Sequence, residues 1–110
     1  MAQYKNPSPI SRDEAEEVFA NGTPAQICDA LVAVTFHDKD WKWSQMQCLR
    51  FLGHTDPNVS GLAATCLGHI ARIHRKLDRD LVVDALRKRL QDPKIGGRVE
   101  DALDDIEMFV

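Results

Sequence analysis

Apolar residues fall along this chain at the three-and-four spacing of amphipathic helices, and no run alternates apolar with polar residues between hairpin turns as a half-buried strand would. Residues 1–10, with Pro7 and Pro9 and little to bury, are expected to form an extended lead-in. The first helix is predicted to begin at Ser11, where Ser11 and Glu14 have capping-box spacing. It should bury Val18 and Phe19 and stop at Asn21-Gly22. Three later starts are written in one way, Thr23-Pro24, Asp56-Pro57 and Asp92-Pro93: a side-chain acceptor suited to the cap, then a proline suited to the first helical position. Between them, Trp41 to Leu52 after Asp40, and Leu81 to Leu90 after Asp78 or Asp80, have helical periodicity of their own. Six helices and no strand follow, an all-α fold.

The three prolines stand 33 and 36 residues apart, within the range of stacked helical pairs. Laying Asp56 on Asp92 puts Val59 on Ile95, Gly61 on Gly97, Ala63 on Val99, Cys66 on Ala102, Leu67 on Leu103 and Ile70 on Ile106. The first copy, Pro24 to about Phe36, fits more loosely. Ala30, Ala33 and Val34 fall on Ala63, Cys66 and Leu67, while Ile27 is displaced by one position. An end repeat has a neighbour on one side only, so such irregularity is ordinary. The expected architecture is a right-handed α-solenoid of about three helical pairs, with residues 11–110 as a single repeat domain.

The segment Asp56-Pro57-Asn58-Val59-Ser60-Gly61-Leu62-Ala63-Ala64-Thr65-Cys66-Leu67-Gly68 resembles the second half of a HEAT repeat, and Asp92-Pro93-Lys94-Ile95-Gly96-Gly97-Arg98-Val99 looks like a more divergent copy. The middle copy departs at Ser60, where HEAT units often carry a basic residue. The small size, with Cys66-Leu67-Gly68-His69-Ile70-Ala71-Arg72-Ile73-His74 and the ending Arg98 to Glu107, is also similar to compact bacterial HEAT proteins encoded beside polymorphic or contact-dependent toxins. That resemblance implies an immunity protein, a non-catalytic binding module that neutralises a cognate toxin. It transfers no binding residue to this chain.

Net charge is −3, from 14 basic and 17 acidic residues, which opposes sequence-independent binding to nucleic acid. Its distribution is uneven. Residues 12–40 hold seven acids and two bases, residues 72–94 eight bases and four acids, and residues 100–110 five acids and no base. The basic segment has no aromatic residue interleaved, as a nucleic-acid site would want. No stretch approaches the roughly 18 to 20 apolar residues of a membrane span, and the N-terminus lacks the apolar core of a secretory signal. With an odd count of three cysteines, a cytoplasmic location is expected, with no cofactor and no membrane partner.

Catalytic motifs are missing: there is no HExxH, phosphate loop or GxSxG, and no Cys/His set at zinc-finger spacing. Cys66 and His69, three apart on one helix, form the best metal candidate, but the overlay puts Cys66 among core positions, so no metal site is assigned. Glu100, Asp101, Asp104 and Asp105 put carboxylates on adjacent stripes of the last helix, where they also oppose its dipole. The contact surface is therefore expected along two aligned stripes: Leu62, Thr65, His69 and Arg72 on one helix, and Arg98, Asp101, Asp105 and Met108 on the next, with Asp104 alongside. Trp41 and Trp43 point about 200° apart on a helix, so one is expected to anchor the core and the other to lie at a rim as a binding residue. Arg87, Lys88 and Arg89, with Arg75, Lys76 and Arg79, are expected mostly to solvate an outer face, some pairing with Asp78, Asp80 or Asp84.

The reading that follows is a monomer or weak dimer that covers a toxin domain with a basic surface, such as a nuclease, by steric and electrostatic occlusion. A general HEAT-type adaptor would use the same surface. An enzyme or enzyme accessory would instead use His69, His74 and the terminal carboxylates on a small molecule.

Overall fold

Four of the helix starts written into the sequence, at Ser11, Thr23, Asp40 and Asp56, are made by the side chains expected to make them. The computed structural model describes residues 8–110, which form six helices and no strand: α1 Arg12–Asn21, α2 Pro24–His37, α3 Trp41–Leu52, α4 Pro57–His74, α5 Arg79–Arg87 and α6 Gly96–Phe109. Residues 8–11 lead into α1 without regular structure, and the rest of the expected lead-in lies outside the described residues. At α1 the Ser11 hydroxyl accepts from the Glu14 amide at 3.1 Å, but the Glu14 carboxylate accepts from the Ser11 hydroxyl instead of reaching the backbone. The complete capping box belongs to α2, where the Thr23 hydroxyl accepts from the Gln26 amide and the Gln26 carboxamide accepts from the Thr23 amide. Asp40 caps α3 through the Trp43 amide, and Asp56 caps α4 through the Asn58 amide.

The third Asp-Pro departs from expectation, because Pro93 does not open a helix. Residues 88–95 form turns, α5 ends at Arg87 rather than Leu90, and α6 begins at Gly96. The local bonds of Asp56 nevertheless recur. The Asp92 carboxylate accepts from the Lys94 amide as Asp56 does from Asn58, and the Asp92 carbonyl accepts from the amides of Ile95 and Gly96 as Asp56 does from Val59 and Ser60. Two causes interrupt the third copy. Ile95 turns into the core with φ −126° and ψ −3°, and the Leu90 carbonyl comes so near Gly96 that a Cβ there would stand 2.8 Å from it.

α4 holds the fold together. It packs against α2, α3 and α6, with α1 on α2 and α5 against α3 and α6, so α2, α4 and α6 lie side by side with α4 between. At 18 residues it is about 27 Å long, nearly the whole of a body measuring 30 × 30 × 29 Å. Ten of its residues are buried, more than one face allows, and Gly61, Ala63, Ala64, Gly68 and Ala71 let three neighbours approach. Against α6 the helices approach over two glycines, and the backbone itself comes close at Gly68. A Cβ at Gly68 would stand 2.9 Å from Asp105 Oδ2 and 3.3 Å from the Ala102 Cα, and one at Gly61 would stand 2.9 Å from Arg98 Cδ and Nη1. Gly97, which the overlay matches to Gly61, meets open space, so the shared glycine is not a shared packing need. Ser60 is buried, with its hydroxyl donating to the Asp56 carbonyl, which leaves no room for the basic residue of a typical HEAT unit.

Polar side chains tie the remaining elements. Gln45, fully buried on α3, donates to the Asp78 carboxylate at 2.9 Å and accepts from the Asp78 amide at 2.7 Å, fixing the start of α5 from a different helix. Arg89 donates to the Leu52 carbonyl and to Asp92. It is therefore a half-buried tie and not the solvated residue expected, while Lys88 pairs with Asp84 at 3.3 Å on the outer surface as expected. Arg12 joins α1 to Asp38 and Asp40, and α4 ends at Arg75 in the left-handed region, φ 53°.

Candidate protein-binding surface

The two predicted stripes lie on neighbouring helices, since α4 and α6 are in direct contact. On α4, Leu62, Thr65 and His69 are half-buried and Arg72 is exposed; on α6, Arg98, Asp101, Asp104 and Met108 are exposed and Asp105 is half-buried. The small residues described above decide how closely they meet. Arg98 lies across Gly61, and Asp105 lies against Gly68 beside His69. Thr65 is turned to its own helix, its hydroxyl donating to the Gly61 carbonyl at 3.1 Å. Glu100, Asp101, Asp104 and Glu107 project outward and make no ion pair among the described residues, leaving a strip of uncompensated negative charge.

Where α2, α4 and α6 end, they frame a half-open cavity of about 360 Å³ lined by Phe36, His69, Arg72, Ile73 and Phe109. Its size is within the range of side-chain and small-ligand pockets. The Phe36 and His69 rings stand 5.2 Å apart at 45°, and Arg75 lies over the Phe109 ring at 5.5 Å. Phe36 and Ile73 are each 45% exposed and Met108, adjoining Phe109, is 74% exposed. The imidazole of His69 is held below its ordinary pKa by burial and then by Arg72, with Asp105 opposing. Uncharged at neutral pH, it presents an aromatic face with one donor and one acceptor.

The tryptophans do not divide as expected. Both are half-buried and pack against the core, and the Arg12 guanidinium covers the Trp43 ring at 4.7 Å from its centroid. An Arg12 salt-bridged to Asp38 and Asp40 thus roofs the position that would have been a rim. Cys66 and His69 do not converge either. Cys66 is buried, with its thiol interacting with Cys48 and Thr35, whereas His69 faces Phe36 and Asp105. Contact with Cys66 and burial push the Cys48 thiol well above its ordinary pKa, and burial followed by Asp56 raises that of Cys28, so neither is an activated nucleophile. Among the described residues no three His, Cys, Asp or Glu side chains are grouped to hold a metal ion.

Phe36, Ile73 and Phe109, the apolar walls of the cavity, were missed by sequence reasoning. A signal was available, since Ile73 and Phe109 are 36 residues apart and occupy one position of the overlay. Apolar residues in a last helical turn look like core until the ends of three helices are known to open at one place.

No family model matches the chain, and no curated protein matches it. Among solved structures it is similar to a chain of the CDI complex from Cupriavidus taiwanensis LMG 19424, at 29% sequence identity and a TM-score of 0.88, over 99% of this chain and 98% of that one.

Proposed function

We propose that this chain is a HEAT-type immunity protein that binds a cognate bacterial toxin and blocks it by steric and electrostatic occlusion, without chemistry of its own. The observation that carries this reading is the similarity, nearly end to end, to a chain of a CDI complex, CDI being contact-dependent growth inhibition. The contacts of α1 with α2, α3 with α4 and α5 with α6, and the repeated turns at Asp56 and Asp92, support three stacked helical pairs over residues 11–110. A right-handed solenoid would put α2, α4 and α6 on one face. The unpaired carboxylates of α6 favour a toxin with a basic surface, such as a nuclease, which would be steered toward them in the cytoplasm of the producing cell.

The test is protection. The toxin domain encoded next to this gene, induced in the cytoplasm of a bacterial host, should arrest growth alone and fail to do so when this chain is co-expressed. The two should also co-elute as a stable complex. Growth arrest despite abundant folded chain would sink the reading.

A further inference from the structure

The cavity at the ends of α2, α4 and α6 differs chemically from the rest of the face. Its walls combine three apolar side chains with His69 and Arg72, and no carboxylate lines it, in a chain of net charge −3 and beside a helix with five acids. Arg72 is exposed and has no ion-pair partner among the described residues. Six large hydrophobic side chains are exposed in the described residues, and two of them, Phe36 and Ile73, line the cavity together with the half-buried Phe109, while Met46, Leu81, Met108 and Val110 do not line it. Scattered exposed apolar residues need no explanation, but a cluster around a concavity marks an interaction site. The Coulomb interaction of Arg72 with His69 helps hold the imidazole neutral, a bias that an entering carboxylate would offset.

We propose that this cavity is the anchor point for one segment of the toxin, a large aromatic or aliphatic side chain next to an Asp or Glu. The apolar side chain fills the space between Phe36, Ile73 and Phe109, and the acidic neighbour pairs with Arg72. This deepens the immunity reading and rests on it for the source of the segment. It also gives the face two chemistries: carboxylates on α6 for a basic surface, and a cation in an apolar cup for an acidic and apolar protrusion. An apolar side chain seated in a pocket is where binding energy concentrates, and a charge pair beside it fixes the register of the segment.

Two experiments separate the pocket from the partner. In the first, the peptides acetyl-Trp-Glu-amide and acetyl-Trp-Gln-amide are titrated into isotopically labelled protein and followed by NMR. The acidic peptide should perturb Phe36, His69, Ile73 and Phe109 in a saturable manner and bind at least threefold more tightly, and Arg72→Gln should abolish that preference. Shifts that are absent or lie elsewhere, or equal binding of the two peptides, would overturn the assignment. In the second, affinity for the adjacently encoded toxin domain is measured with Phe36→Ser/Ile73→Ser and with Arg72→Gln, each checked for an unchanged melting temperature. At least tenfold weakening is expected for the double variant and a smaller loss for Arg72→Gln, while unchanged affinity in folded variants overturns the anchor. If the toxin domain does not bind even the unaltered chain, the toxin is overturned as the source of the segment and the immunity reading falls with it, whatever the peptides do.

Discussion

Gln45 is a buried carboxamide whose two polar atoms are both used by Asp78, on the far side of the α4–α5 connection. Gln45→Met keeps the volume and removes both hydrogen bonds, leaving the Asp78 amide without its acceptor at a helix start that has no side-chain cap of its own. The expected loss is about 2 kcal/mol, read as a fall in melting temperature of roughly 10 °C. His69 makes a second prediction. Its folded pKa lies below the ordinary value of about 6.5, so the unfolded chain takes up a proton more readily. Stability linked to this group is then present above the unfolded pKa and is lost as pH falls through the folded one. An NMR titration of the His69 ring should give a midpoint below the ordinary one, raised by Arg72→Gln and lowered further by Asp105→Asn. A midpoint at or above the ordinary value would refute the environment described.

At the scale of elements, α4 meets α6 over two glycines whose surroundings differ. A methyl group at Gly61 would crowd the exposed Arg98 side chain, which can swing away, and touch Ile95 Cγ2 at an ordinary 3.4 Å, so Gly61→Ala should gain helix propensity and leave stability unchanged or raised by up to about 1 kcal/mol. At Gly68 the added group meets the Ala102 backbone as well as Asp105, and α6 itself must move. Gly68→Ala should therefore cost about 1 kcal/mol net, an overpacking penalty that exceeds the propensity gain. Paired chemical denaturation curves would decide it, and equal effects of the two substitutions would show that α6 is not seated as described. The spacing of prolines made the existence of these helices legible. It did not reveal that the third Asp-Pro opens a turn, where Ile95 enters the core and the Leu90 carbonyl lies over Gly96.

Across the whole molecule the negative strip of α6 is a statement about association. Asp101 and Asp104 are exposed and unpaired among the described residues, so Asp101→Lys/Asp104→Lys should leave the melting temperature nearly unchanged. The same change should slow capture of the toxin domain by tenfold or more at low salt, with the difference shrinking as salt is added. An association rate that ignores both the charge reversal and the salt would remove α6 from the interface. Asp105 is unsuited to this test, since it is half-buried against Gly68 and beside His69.

What the sequence determined by itself was local and periodic. The caps at Ser11, Thr23, Asp40 and Asp56, the six apolar stripes and the acidic side of α6 follow from side-chain chemistry within a few residues, and the overlay of Val59 with Ile95 and Ile70 with Ile106 from a pattern that recurs along the chain. Tertiary structure decided whatever depends on residues far apart in the chain. Arg12 turned Trp43 from a rim residue into a covered one, Gln45 supplied the missing tie at Asp78, and Cys66 and His69 came to face different partners. The cavity belongs to this second class. Phe36, Ile73 and Phe109 are unremarkable in their own helices, and they become walls only because α2, α4 and α6 end together, which no local spacing encodes.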